Sequence, residues 1–95
     1  MHYRITKVKH DADKRDEIIR ILNEKESIIA SFEGLNWVKM ISISDTETMA
    51  ISEYGTEAQL KAVEGRFREV MVDLVPLMKA PPEVCNGDAF WVQKL

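Results

Sequence analysis

Apolar and polar residues alternate at every second position in two neighbouring segments near the middle of the chain. These segments lie within residues 36–56 and surround the polar stretch Ser44-Asp45-Thr46-Glu47. Alternation with a period of two is typical of strands, and a polar connection between two such runs indicates a hairpin. Residues 3–10 and 88–95 are rich in β-branched and aromatic side chains. They predict a first and a last strand, which makes four in all.

Two other segments have the three- and four-residue spacing of amphipathic helices. The first covers about residues 13–32, and Gly34 follows it where a left-handed residue commonly ends a helix. The second begins at Thr56, which forms a predicted capping box with Gln59, and it ends before Pro81-Pro82. The element order is therefore β-α-β-β-α-β.

This order predicts a single α+β domain over residues 1–95 with a ferredoxin-like fold. Right-handed crossovers place both helices on one face of a four-stranded antiparallel sheet. The other face of the sheet is left without a covering layer.

The alternating strand residues form two sets, and the more apolar set is assigned to the helix-covered face. It consists of Tyr3, Ile5, Trp37, Ile41, Ile43, Met49, Ile51, Phe90 and Val92. The bare face then carries Val8, Val38, Met40 and Trp91 among polar residues. These four would expose several hundred Å², roughly the size of patch that marks an interaction site. Covering such a patch is worth roughly several kcal/mol. We therefore expect a homodimer in which two sheets pack around a two-fold axis.

The remaining side chains of this face are the candidate substrate-binding residues. Arg4 is expected to hold a ligand anion or to form an ion pair across the dimer interface. Tyr54 and Trp91 would flank a planar aromatic ligand or pack at the interface, and the hydroxyl of Tyr54 would bond the ligand. Met40 and Ser52 lie on the same face and would line the pocket.

The two histidines offer the only side chains that titrate near neutral pH. His10 ends the first strand and is a candidate general base, although the neighbouring acidic residues also fit a plain surface position. His2 is expected to be exposed. Neither histidine has carboxylates at metal-ligand spacing, so the sequence predicts no metal site.

Charge and cysteine content limit the classes of partner. The net charge of −3 provides no positive field for a nucleic acid, and the basic residues near position 10 are interrupted by acidic ones. No apolar run reaches the roughly 18 residues that a membrane-spanning helix needs. Cys85 is the only cysteine, which fits a reducing, cytoplasmic location.

Three stretches of the chain are similar to motifs of the antibiotic-biosynthesis-monooxygenase-like proteins, within the dimeric α/β-barrel superfamily. Phe32-Glu33-Gly34-Leu35 resembles the lead-in to the second strand of that family. Residues 50–60, which read AISEYGTEAQL, resemble its strand and capping signature, with Tyr54 where the family usually has Trp. Pro81-Pro82-Glu83-Val84 resembles the segment before its last strand.

The resemblance implies one of two functions. The first is a cofactor-independent oxygenase that acts on a small aromatic or enolisable compound, with His10 as base, Tyr54 as hydrogen-bond partner and Arg4 as anion clamp. The second is a non-catalytic ligand-binding or interaction module of the same dimeric fold. The haem-degrading branch is a poor match, because Val63 and Glu64 lie where its axial histidine would be.

Overall fold

Four strands form one antiparallel sheet in the spatial order β2-β3-β1-β4. The structure is a computed structural model that describes residues 1–95. The strands are β1 (His2–Lys9), β2 (Leu35–Ser44), β3 (Glu47–Tyr54) and β4 (Glu83–Asp88). Each half of the chain contributes one outer and one central strand, as in a split β-α-β arrangement. The predicted ferredoxin-like α+β fold is confirmed.

Each of the two predicted helical segments is divided by a residue whose backbone leaves the α-helical range. Lys25, with φ −97° and ψ 7°, separates α1 from α2, and Val63, with φ −105° and ψ 8°, separates α3 from α4. The helices are α1 (Arg15–Glu24), α2 (Glu26–Ala30), α3 (Glu57–Ala62) and α4 (Glu64–Val72), and 3₁₀ turns cover Ala12–Lys14 and Val75–Leu77.

The predicted signals at the helix ends are present. Gly34 has φ +86° and turns the chain from α2 into β2. The Thr56 side chain accepts a bond of 3.1 Å from the amide of Gln59, and the Gln59 side chain accepts one of 3.0 Å from the amide of Thr56. These reciprocal bonds form the capping box that starts α3.

The assignment of the two sheet faces is wrong and must be reversed. Val8 is buried, together with four polar or charged side chains in or directly after β1 and with Tyr54 of β3. The helices cover this set, and apart from His2 the sequence had assigned it to the bare face. Its polar residues are His2, Arg4 and Thr6 of β1, and His10, which directly follows β1.

The uncovered face carries the set that was expected in the core. Strand register places Ile5 opposite Ile51 and Ile41 opposite Met49 on this face, and the rings of Tyr3 and Trp37 lie 6.1 Å apart. Side chains that face each other across neighbouring strands point to the same side of a sheet. The chain therefore has a bare apolar face, as predicted, but with different residues.

The predicted last strand over residues 88–95 is also wrong. β4 ends at Asp88, which pairs with His2, the first residue of β1. One further bond joins the amide of Ala89 to the carbonyl of Met1, at 3.1 Å. Beyond this bond, residues 90–95 form no strand in the structure. Phe90, Trp91 and Val92 are therefore 70–100% exposed.

Candidate functional site

A cavity lies between the helix-covered face of the sheet and the helices. Its volume is about 80 Å³, and fifteen of its nineteen lining residues are hydrophobic. A single buried water needs only about 10–15 Å³, so the space is several times larger than one solvent molecule requires. The lining polar residues are Arg4, Thr6, Thr48 and Ser52, together with the hydroxyl of Tyr54.

Arg4 and Tyr54 form the polar end of this cavity. Arg4 is only 2% exposed, and its Nη1 donates to the hydroxyl oxygen of Tyr54 at 3.0 Å. Its Nη2 donates to Oε1 of Glu64 at 2.6 Å, and the guanidinium lies 3.7 Å from the ring centre of Phe67. The Glu64 carboxylate and the aromatic faces thus stabilise a buried cation.

The Tyr54 hydroxyl remains a neutral phenol at ordinary pH. Burial raises its pKa because the phenolate would lose its hydration, and the positive charge of Arg4 only partly opposes this effect. Since Arg4 donates to the Tyr54 oxygen, the phenolic hydrogen is free to donate to Ser52 or to a bound ligand.

His10 lies at the other end of β1 and reaches the cavity only through Thr48. The imidazole is fully buried; its Nδ1–H donates to the carbonyl of Asp11 at 2.8 Å. In the neutral ring, Nε2 is then an acceptor for the Thr48 hydroxyl, 2.9 Å away. Thr48 lines the cavity, and Nη2 of Arg15 donates to the same hydroxyl oxygen at 3.2 Å.

His2 is buried rather than exposed, and the expectation that it lies at the surface is wrong. Its Nδ1 is 2.7 Å from Oδ1 of Asp88, and its Nε2 is 2.8 Å from Oδ1 of Asn86. Both partners are acceptors, so the protonated imidazolium is favoured. The hydrogen bond to Asp88 is the main reason that the pKa of His2 is raised. Ligand atoms of His2, Glu57 and Asp88 lie within 4.8 Å of one another, a grouping the sequence did not predict.

Four of the six predicted site residues come together in the cavity: Arg4, Met40, Ser52 and Tyr54. They do so on the helix side of the sheet rather than between two sheets. His10 is behind the wall formed by Thr48. Trp91 is 73% exposed in the C-terminal tail and does not line the cavity.

Sequence reasoning missed Glu64, Phe67, Thr48 and Arg15. Glu64 was considered as a position where the haem-degrading branch has its axial histidine, whereas its carboxylate binds Arg4. The signal that could have found it is the polar character of the alternating set that contains Arg4. A buried arginine requires a carboxylate from a neighbouring element, and α4 is the element that packs nearby.

Comparison with known proteins supports the fold at low sequence identity. A monooxygenase from the gene ActVA-Orf6 of Streptomyces coelicolor, solved in complex with nanaomycin D, matches with a TM-score of 0.84 at 12% identity. The match covers 99% of this chain and 91% of that one. The chain has the fold of the antibiotic-biosynthesis-monooxygenase-like proteins. The predicted resemblance to this group is thereby confirmed at the level of the fold.

Two further structures show the same monooxygenase-like fold. A candidate antibiotic biosynthesis monooxygenase of Caulobacter crescentus has a TM-score of 0.77 at 16% identity, covering 95% of this chain and 90% of its own. A protein of unknown function from Nitrosomonas europaea has a TM-score of 0.78 at 9% identity, covering 99% and 93%. No protein-family model and no curated protein matches the sequence. None of the helices is long and apolar enough to cross a membrane.

Proposed function

We propose that this chain binds a small, flat aromatic or enolisable compound in the cavity and oxidises it with molecular oxygen, without a bound cofactor. The observation that carries the proposal is the cavity itself, an apolar space with one polar end at Arg4 and Tyr54. Such a lining buries an aromatic ring and orients it through one or two oxygen atoms. The monooxygenase with nanaomycin D, which has the same fold, supports this class of ligand.

Arg4 and Tyr54 would recognise a phenolic or keto oxygen of the compound. Glu64 already compensates the charge of Arg4, so Arg4 contributes oriented N–H donors more than net charge. Tyr54 contributes a neutral O–H donor. An oxyanion that develops when the substrate is deprotonated would therefore receive hydrogen bonds in a dry environment.

His10 would act as the base indirectly, through the hydroxyl of Thr48. The substrate proton would pass to the Thr48 oxygen while the threonine hydroxyl hydrogen passes to Nε2 of His10, across the 2.9 Å contact. The electron-rich anion left behind can transfer an electron to oxygen. Met40 and Ser52 would contribute to the wall that holds the ring.

The second candidate function is a non-catalytic binding module of the same fold. It is favoured by one observation: no titratable base lines the cavity directly, since the nearest imidazole lies behind Thr48. Binding without turnover would follow if proton transfer through Thr48 is ineffective.

Oxygen uptake with anthrone and a panel of quinols, measured beside calorimetric binding, separates the two functions. Uptake above the uncatalysed rate supports the oxygenase, and binding without uptake supports the module. We expect Tyr54→Phe to weaken binding of a phenolic ligand about tenfold, because it removes a buried hydrogen-bond donor. The control is Tyr3→Phe, since Tyr3 lies on the uncovered face and bonds Glu53 there.

Thr48→Val tests the base. This variant should abolish the contribution of His10 to turnover, because valine lacks the hydroxyl that would transfer the proton. Binding of the ring should be unchanged, because valine keeps the shape of threonine. Unaltered uptake in both Thr48→Val and His10→Ala would remove His10 from the mechanism.

We further propose that the uncovered face, with Ile5, Ile41, Met49 and Ile51 at its centre, packs against a second copy of the chain. These side chains are apolar and have no covering layer within the subunit. The free, exposed thiol of Cys85 is compatible with a cytoplasmic location for such a dimer.

A further inference from the structure

A second cavity adjoins the first at the gap between α1 and the edge strand β2. Its volume is about 120 Å³. It shares lining residues with the first cavity, called the main cavity below, so the two spaces are adjacent. The shared residues are Ile18, Leu22, Met40 and Thr48.

Arg15 gives this second cavity a positive charge that no carboxylate neutralises. Its Nη2 donates to the carbonyls of Ser44 at 2.6 Å and Glu47 at 3.2 Å, and to the Thr48 hydroxyl at 3.2 Å. All three acceptors are neutral oxygens, and Arg15 takes part in none of the ion pairs of the chain. The nearby carboxylate of Glu47 is directed instead toward Lys7, at 3.8 Å.

Arg4 in the first cavity and Arg15 in the second therefore differ in whether a carboxylate compensates their charge. Arg4 is paired with Glu64, whereas the guanidinium of Arg15 retains N–H groups on Nη1 and Nε with no partner in the protein. An uncompensated guanidinium beside an apolar space is suited to a carboxylate or similar planar anion.

Strand register gives the spacing of the sheet positions that lie below the two ends. Arg4 pairs with Ser52 and Val8 pairs with Thr48, so the polar end and the Arg15 end are separated by four residues along β1. At about 3.3 Å per residue this is roughly 13 Å. A compound of two or three fused rings that carries an anionic group opposite its phenolic or keto oxygen has the matching shape.

We propose that the cavity between α1 and β2 is a subsite for the anionic group of the ligand, held by Arg15. The inference rests on the proposed function, because the aromatic body of the same ligand occupies the main cavity. It adds a chemical class to that function: the preferred ligand is an aromatic acid, with its oxygen near Tyr54 and its carboxylate near Arg15.

The test compares binding of 6-hydroxy-2-naphthoic acid, its methyl ester and 2-naphthol, measured by calorimetry on the full chain. We expect the acid to bind about tenfold more tightly than the ester, as a charge-assisted pair is worth roughly that factor. Arg15→Gln should remove this preference and leave the ester affinity unchanged. Arg15→Lys should restore part of it, and Arg68→Gln, on the exposed side of α4, should have no effect.

The outcomes distinguish the subsite from the proposed function. Binding of ester and 2-naphthol with no preference for the acid would overturn the subsite alone. Failure of all three compounds to bind would overturn the ligand-binding function and the subsite with it. A preference that persists in Arg15→Gln would also overturn the subsite. If that variant fails to fold, Arg15→Lys decides the question: its preference for the acid should fall below that of the unaltered chain, and an unchanged preference would overturn the subsite.

Discussion

The helix-covered side of the sheet buries three basic side chains, and each is stabilised differently. Arg4 has a carboxylate from α4, His2 has a carboxylate and an amide from β4, and His10 has a threonine hydroxyl and a backbone carbonyl. A buried charge without such partners is strongly unfavourable. The partners of these residues are therefore sensitive positions for mutation.

Glu64→Gln should lower the free energy of unfolding, because it leaves the buried guanidinium of Arg4 without its counter-charge. We expect a loss of about 1–3 kcal/mol, the usual cost of removing one partner of a charged hydrogen bond. Urea unfolding measures it. Glu69→Gln on α4 is the control and should change stability by less than about 0.5 kcal/mol. Equal stabilities for the two variants would contradict the role given to Glu64.

His2 should make the stability of the fold depend on pH. Its folded-state pKa is raised above 6.5, chiefly by the bond to Asp88, so protonated His2 stabilises the folded chain. This contribution is fully present below pH 6.5 and is lost as pH rises through the raised folded-state pKa. Thermal unfolding across this range should show a slope that Asp88→Asn flattens. An unchanged slope in Asp88→Asn would contradict the assignment.

At the scale of elements, the sequence was sufficient for the order of strands and helices and for their end signals. The hairpin, the Thr56–Gln59 capping box and the left-handed Gly34 depend on neighbouring residues, so local pattern predicts them. The extent of the last strand depends on a distant partner. Residues 88–95 have a strand-like composition, but the segment that pairs with β1 is Glu83–Asp88.

Local sequence pattern was also insufficient to predict which face of the sheet the helices cover. Hydrophobicity placed the more apolar set under the helices, yet the helices cover the set that contains Arg4, His10 and Ser52. Polar side chains are tolerated there because each has a partner, and no buried side-chain nitrogen or oxygen lacks one. Those partners, such as Glu64, come from elements distant in sequence.

Two glycines, Gly34 in the loop between α2 and β2 and Gly65 in α4, permit a direct test of backbone conformation. A Cβ at Gly34 would overlap the Gln59 side chain, and the positive φ disfavours any other residue. Gly34→Ala should therefore destabilise the fold by about 1–3 kcal/mol. Gly65 in α4 has open space around it, and Gly65→Ala should stabilise by up to about 1 kcal/mol. Chemical denaturation of both variants checks the opposite signs; two changes of the same sign would contradict this explanation.

At the scale of the whole molecule, the two faces of the sheet lie in different environments. One face lines a cavity, and the other presents apolar side chains with no covering layer. Edge strand β2 adds to this second surface through Ile41 and Ile43, which are 39% and 51% exposed. Exposed apolar edges promote association of chains. The uncovered apolar face that favours a dimer is therefore present, but it is formed by residues other than those predicted.

Substitution of Ile51 tests whether the uncovered face forms the dimer interface. Ile51 lies on this face, on the central strand β3 opposite Ile5. In a two-fold dimer Ile51→Lys would bury a lysine from each copy, and burying unpaired charge is costly. We expect the dissociation constant to rise at least about 100-fold, equivalent to about 2.8 kcal/mol. Light scattering at micromolar concentration should show dimers of the unaltered chain and single subunits of the variant. Val72→Lys, at an exposed site on α4, should remain dimeric. A single subunit in the unaltered chain, or a dimer that survives Ile51→Lys, would show that this face is not the interface.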